Sequence, residues 1–126
     1  MTLARTGRRI LFVDDDPILR TVAEIAMQRA GHQVRACANV DEALEAVRGG
    51  GYDFALLDIR LGAGTDGFAL ATQLLALQPS LRIMMVSGTV EALHRDRARA
   101  MGLAGVFPKA QALGSLELLL PSRAEE

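Results

Sequence analysis

The sequence predicts an α/β fold: a single (βα)5 unit with a doubly wound, five-stranded parallel sheet. Two observations carry that prediction. Short apolar runs alternate five times with longer segments of helical period, and Gly, Pro, Asn or Asp stands at most of the junctions. At 126 residues the chain has room for one domain, and it shows no internal repeat and no low-complexity stretch.

The elements follow in order. Residues 10–13, 34–38, 54–57, 83–86 and 106–107 are short, apolar or β-branched, and read as buried parallel strands. Residues 18–30, 40–48, 67–78 and 91–101 carry apolar residues on one face over about three turns and read as the crossover helices. Asp16 before Pro17 is an N-cap and first-helical-position pair, because proline lacks an amide that would be unsatisfied there anyway. Gly31 can close the first helix in a left-handed conformation, and Asn39 with Glu42 has the spacing of a capping box. Gly49, Gly50 and Gly51 end the second helix, and Pro79 stops the third. A last helix over 112–120 rests on Leu113, Leu116 and Leu120 alone, with Gly114 and Ser115 inside it and Pro121 after it. Residues 1–8 read as a flexible arm, 9–120 as the domain and 121–126 as a frayed tail.

Composition excludes several classes. Fourteen basic and 15 acidic residues give a net charge of −1, which lacks the basic excess of a nucleic-acid binder. Aromatics are 4% with no Trp, too few for base-stacking platforms. The one cysteine, Cys37, rules out an internal disulfide and a Cys-based zinc site and suits a reducing cytoplasm. No apolar stretch approaches a bilayer span, and the run after the N-terminal arginines ends at Asp14 after four residues, too short for a signal peptide. The expectation is a cytoplasmic protein with no direct contact to nucleic acid or membrane. Thirteen of the fourteen basic residues are Arg, so Lys109, the only lysine, marks a position that needs an ammonium.

Ligands of open α/β sheets bind outside the carboxyl ends of the strands. There the sequence places Asp14, Asp15 and Asp16 after the first strand, Asp58 after the third, Ser87 and Gly88 after the fourth, and Lys109 after the fifth. Asp16 reads as a helix cap, and Asp66, directly before Gly67, as a cap or turn residue. Each of the others has an ordinary reading as a turn residue or surface charge, but those readings must all hold together at one rim. Clustered carboxylates repel and need a cation, and oxygen-only ligands with room for phosphate favour Mg²⁺.

ILFVDDDP, YDFALLDIRL, IMMVSG and GLAGVFPKA, in that order across residues 10–110, resemble the strand-end motifs of the receiver domains of bacterial two-component response regulators, a chemotaxis-regulator-like, flavodoxin-like fold. The resemblance implies that Asp58 is the phosphoacceptor, charged by a sensor histidine kinase or a histidine phosphotransfer protein. It implies Mg²⁺ held by Asp15, Asp58 and the main-chain carbonyl of Arg60, with Asp14 assisting through water. Ser87 and Lys109 would bind phosphoryl oxygens, with Gly88 beside them, and Arg60 and Thr89 occupy positions that tune phosphate lifetime. The implied protein catalyses only its own phosphorylation and dephosphorylation, and signals by docking to a downstream protein target or by phosphorylation-dependent homodimerisation.

Three departures stand out. LGAGTDG is one residue longer than the family's loop and has Gly62 and Gly64 where a proline is usual, which predicts a mobile loop and a poorly preorganised Arg60 carbonyl. Val106 stands where the family carries an aromatic switch residue, and Phe107 should point to the opposite face. Lys109 is followed by Ala110 rather than proline, which predicts either a strained cis bond or an altered loop. The basic helix EALHRDRARAMG offers a face for an acidic partner or a solvated face with local pairs to Glu91 and Asp96.

Two alternatives remain open in the sequence. The chain could be the receiver module of a hybrid kinase or longer regulator. From another class, Asp14 and Asp16, Ser87 and Lys109 mimic three of the four motifs of haloacid-dehalogenase-like aspartyl-phosphate phosphohydrolases, with Asp14 as nucleophile and Asp16 as acid/base. A folded pseudo-receiver would lack the acid pair, Asp58, Ser87 or Lys109, and all of these are present.

Overall fold

A computed structural model describes residues 7–62 and 64–114. Five strands, β1 (Arg9–Val13), β2 (Gln33–Cys37), β3 (Phe54–Asp58), β4 (Arg82–Ser87) and β5 (Gly105–Pro108), alternate with α1 (Pro17–Arg29), α2 (Val40–Gly49), α3 (Gly67–Leu77), α4 (Ala92–Ala100) and α5 (Lys109–Gly114). Every strand pairing is parallel and the order is β2-β1-β3-β4-β5. The winding direction therefore reverses between β1 and β3, and their carboxyl ends border the crevice where such sheets bind ligands.

Alternation along the strands builds two layers of core. Leu11, Val13, Ala55, Leu57, Ile83 and Met85 face α2, α3 and Ala98 of α4, whereas Ile10, Phe12, Phe54, Leu56, Met84 and Val86 face Ala23 and Met27 of α1. β3 lies at the centre and is buried at all five positions; each large side chain there contributes roughly 1.5–3 kcal/mol relative to exposure. β2 departs from the expectation of a buried strand: as an edge strand it has Gln33 and Arg35 exposed and Val34 and Ala36 half-buried, and only Cys37 at its end is buried.

The helix ends follow their local chemistry. The Asp16 carboxylate accepts from the amides of Ile18 and Leu19, with Pro17 as first helical residue. Gly31, at φ +95°, closes α1: its amide donates to Gln28 and that of His32 to Met27, the paired bonds of a Schellman ending. Asn39 Oδ1 accepts from Glu42 N–H, and the Glu42 carboxylate returns to Ala38 N–H, one residue earlier than a standard capping box.

Two expectations need correction at the end of the chain. The last helix starts at Lys109, three residues before the predicted 112–120, and its described part ends at Gly114; the rest of the predicted span lies outside the described residues. The leucine spacing drew the prediction too far along, whereas Pro108, with no amide to donate, ends the β5 ladder and the chain turns directly into helix. The bond between Lys109 and Ala110 is trans, so the missing proline is met by this early helix start and not by a strained cis bond.

Candidate functional site

Sheet register brings the acidic and cationic residues together. Val13 pairs with Leu57, Asp58 with Val86, and Ser87 with Pro108, so Asp14, Asp58, Ser87 and Lys109 emerge at adjoining strand ends. Carboxylate oxygens of Asp14, Asp15 and Asp58 lie within 4.8 Å of one another. Asp14 is wholly buried, Asp58 nearly so, and Asp15 is exposed.

Lys109 Nζ donates to Asp58 Oδ2 at 2.8 Å and lies 3.0 Å from Asp14 Oδ2. One ammonium thus answers two buried carboxylates, which a compact charge on a flexible stem can do. The remaining oxygens are held by backbone: Asp14 Oδ1 accepts from Asp16 N–H at 2.9 Å, and Asp58 Oδ1 from Arg60 N–H at 3.0 Å. Burial pushes the Asp14 carboxyl above its ordinary value of 3.8, more than the Asp16 amide and Lys109 pull it down. Burial acts to lower the Lys109 ammonium, but its bonds to Asp58 and Asp14 outweigh that and hold it above its ordinary 10.5.

The loop after β3, expected to be mobile, carries backbone hydrogen bonds on both sides of its tip. Leu61 N–H donates to the Thr65 carbonyl, Thr65 N–H to Gly62, and Gly67 N–H to Ile59, closing an antiparallel bridge between Arg60 and Asp66. Gly62 (φ +77°) and Gly64 (φ +76°) both take the left-handed backbone that favours glycine. Bridge bonds flank Arg60 and do not use it, which turns its N–H outward to Asp58. Gly67 packs the start of α3 so closely that a Cβ there would stand 2.1 Å from the Asp58 carbonyl oxygen.

Other predicted residues lie where expected. Ser87 is buried and its hydroxyl donates to the Thr89 carbonyl at 2.8 Å, within its own loop. Gly88 and Thr89 are exposed beside it. Val106 is buried with the α2–α3–α4 layer, and Phe107 packs on the opposite layer. Asp16 is committed to capping α1. Asp66 caps α3 through Phe68 N–H and also pairs with Arg97 of α4 at 2.9 Å. Of the local pairs foreseen for the basic helix, Asp96 pairs with Arg99 at 3.6 Å. Two contacts escaped sequence reasoning: Arg97 with Asp66, which joins elements far apart in the chain, and Arg20 Nη1, which donates to the Asp14 carbonyl at 2.9 Å, a side-chain reach that no local motif signals.

A buried acidic cluster with a lysine on two of its members, at the switch point of this sheet, is the arrangement of a receiver domain. The family model described as the response regulator receiver domain matches residues 10–120, and the chain belongs to that family. Its relatives include the transcriptional activator protein PfeR of Pseudomonas aeruginosa, 33% identical over 86% of this chain and 35% of its own. The chain spans about half or less of the length of the first curated relatives it matches. Among solved structures, a Burkholderia pseudomallei response regulator with a phosphorylated aspartic acid, calcium ion and citrate has a TM-score of 0.83 at 26% identity, covering 94% of this chain and 69% of its own. Response regulator TrrA of Thermotoga maritima, in complex with Mg²⁺ and BeF, has a TM-score of 0.74 at 25% identity, covering 90% of this chain and 99% of its own. The family is one of phosphoacceptor signalling domains. Among the described residues no helix is long and apolar enough to cross a membrane.

Proposed function

We propose that Asp58 takes a phosphoryl group from a phosphohistidine on a sensor histidine kinase or a histidine phosphotransfer protein. An Asp58 carboxylate oxygen attacks phosphorus as the nitrogen–phosphorus bond breaks, and the freed imidazole nitrogen keeps the electron pair. The observation that carries this reading is the Asp58 carboxylate itself: buried, one oxygen on the Lys109 ammonium, the other on the Arg60 amide. Lys109 orients the acceptor before transfer and offers a charge to the phosphoryl oxygens after it. Ser87 has a hydroxyl within reach of the same rim and can exchange its bond to the Thr89 carbonyl for one to a phosphoryl oxygen. Arg60 and Thr89 flank the acceptor and tune the lifetime of the phosphoryl group.

The donor set fits Mg²⁺: oxygens only, from three clustered carboxylates. Asp15, Asp58 and the Arg60 carbonyl would hold the ion, with Asp14 reaching it through water. In an extended residue N–H and C=O lie on the same side, so the bridge and the Arg60 amide's bond to Asp58 support a carbonyl on the cluster's side. When bound, the ion neutralises developing charge on the phosphoryl oxygens. The Mg²⁺ and BeF of the Thermotoga neighbour and the calcium and phosphoaspartate of the Burkholderia neighbour support this reading.

The charged domain signals in the cytoplasm by docking to a downstream protein, as a stand-alone regulator, as a module of a longer one, or as a phosphorylation-dependent homodimer. Acetyl phosphate with Mg²⁺ should add one phosphoryl group, seen by intact mass, to the wild type and none to Asp58→Asn. Equal labelling of the two proteins removes Asp58 from this role, and sustained turnover of an aryl phosphate would revive the phosphohydrolase reading.

A further inference from the structure

α4 is the least embedded of the complete helices. Among the described residues it buries only Ala98 fully, and its N-cap, Glu91, makes no side-chain capping bond. Yet its middle turn reaches across to the acceptor loop. Arg97 Nη1 donates to Asp66 Oδ2 at 2.9 Å, and the same guanidinium stacks over the buried Phe68 ring, 4.5 Å from its centroid. The His94 ring, one turn earlier on α4, stands 6.3 Å from that ring. Asp66 uses its other oxygen to cap α3 through Phe68 N–H at 2.7 Å, and across the antiparallel bridge it faces Arg60, whose amide holds Asp58. Among the described residues this is the ion pair that joins α4 to another element.

We propose that Arg97 is a positioning residue for the acceptor site: from α4 it clasps Asp66, fixes the far leg of the β3–α3 turn, and so holds the Arg60 peptide toward Asp58 and the bound cation. The inference rests on the metal-assisted phosphoacceptor reading and adds to it the residue that keeps the glycine-built turn in shape. A guanidinium suits the task because it can hydrogen-bond in its plane and stack on an aromatic face together. Linkage makes the clasp reciprocal: whatever tightens the Arg60 leg on loading tightens α4, with no rotamer change required at Val106.

Two NMR measurements on the full chain test it: amide hydrogen exchange without metal, and Mg²⁺ titration. The variants are Arg97→Ala, Arg97→Lys, Asp66→Asn, which keeps a good N-cap while discharging the pair, and Arg99→Ala, whose guanidinium pairs with exposed Asp96. Exchange at Leu61, Thr65 and Gly67 should quicken about three- to tenfold in Arg97→Ala and Asp66→Asn, with a similar loss of Mg²⁺ affinity, and neither should change in Arg99→Ala. Arg97→Lys should recover part of both, and the double variant should be no worse than the worse single one. Unchanged exchange at Leu61 and Gly67 in Arg97→Ala overturns the proposal, and so does quickening shared equally by core amides such as Leu56, which marks plain destabilisation. A wild type that shows no Mg²⁺-dependent shifts fails the metal reading and removes the cation part of the role; the exchange data then judge the clasp by itself.

Discussion

Replacing Lys109 by methionine removes one ammonium and keeps most of the stem. It leaves Asp14, with 1% of its side chain exposed, and Asp58, with 7%, facing each other without the charge that now lies 3.0 and 2.8 Å from them. Removing one partner of a fully buried pair costs about 3–5 kcal/mol. Lys109 keeps 26% of its side chain in solvent, and water entering beside the methionine screens what remains, so we expect about 1.5–3 kcal/mol at pH 7. For a chain of this size that lowers the thermal midpoint by about 5–15 °C.

The loss should depend on pH. Asp14 has a folded pKa raised above its unfolded 3.8, so its contribution to stability is present below 3.8 and is lost as pH rises through the folded value. Lys109 is among the groups that hold that value down, so its removal raises it further and the gap between variant and wild type widens from acid to neutral pH. At the alkaline end, Lys109 stabilises fully below 10.5 and stops doing so as pH passes its raised folded pKa, where the gap closes again. Millimolar Mg²⁺ should recover more stability in the variant than in the wild type, because a cation can take over the missing charge. Circular-dichroism melts across pH 3.5 to 11, with and without Mg²⁺, read all of this. A gap that is flat across that range, or absent at pH 7, would refute the reasoning that the ammonium compensates these two carboxylates.

Three further substitutions probe separate parts of the design. Asp16→Ala removes only the cap of α1 and should cost about 1 kcal/mol in a urea melt; labelling of Asp58 should persist, whereas a phosphohydrolase with Asp16 as acid/base would lose turnover. Gly67→Ala forces a Cβ to 2.1 Å from the Asp58 carbonyl oxygen and 3.0 Å from Met85 Cε. The backbone must move, so we expect a loss of about 3 kcal/mol or more together with lost labelling by acetyl phosphate. Gly62→Ala meets φ +77° and places its Cβ 2.7 Å from Asp15 Oδ2; the backbone strain is about 1–2 kcal/mol. Displacing Asp15 should also weaken Mg²⁺ binding in a titration, and an unchanged Mg²⁺ affinity would detach Asp15 from the ion.

Sequence reasoning succeeded where the signal is local or periodic. The five strands, four of the helices and the caps at Asp16, Asn39, Gly31 and Asp66 all follow from neighbours a few residues apart. The acidic cluster was legible because a parallel sheet delivers every strand's last residue to one rim, so chain order alone brings Asp14, Asp58 and Lys109 together. Legibility ended where the outcome depends on long-range geometry. Gly62 and Gly64 read as flexibility, since chain entropy is what an isolated glycine contributes; their positive φ beside the bridge between Arg60 and Asp66 was not foreseen. The basic residues of α4 read as one solvated or docking face and its arginines are all exposed, but Arg97, half in solvent, also lies over Phe68 and pairs with Asp66, a contact that depends on where α3 starts. The early start of α5 was hidden because leucine periodicity outweighed the single missing amide of Pro108.

A chain with thirteen arginines and one lysine has kept the lysine where two buried carboxylates must share a single cation. A guanidinium spreads its charge over a plane and is best met by two oxygens of one carboxylate, side by side. Here the two oxygens belong to different residues, on different strands, and both lie about 3 Å from one nitrogen that can turn three protons among them. On the proposed phosphoacceptor reading, the same arrangement limits what can change when a phosphoryl group arrives. Val106 is β-branched and buried, and Phe107 belongs to the opposite layer. The parts free to rearrange are the shared ammonium, the Ser87 hydroxyl on its own loop carbonyl, and the turn that carries the Arg60 peptide. Of these, the turn is the one tied by an ion pair to a surface helix, through Asp66 and Arg97.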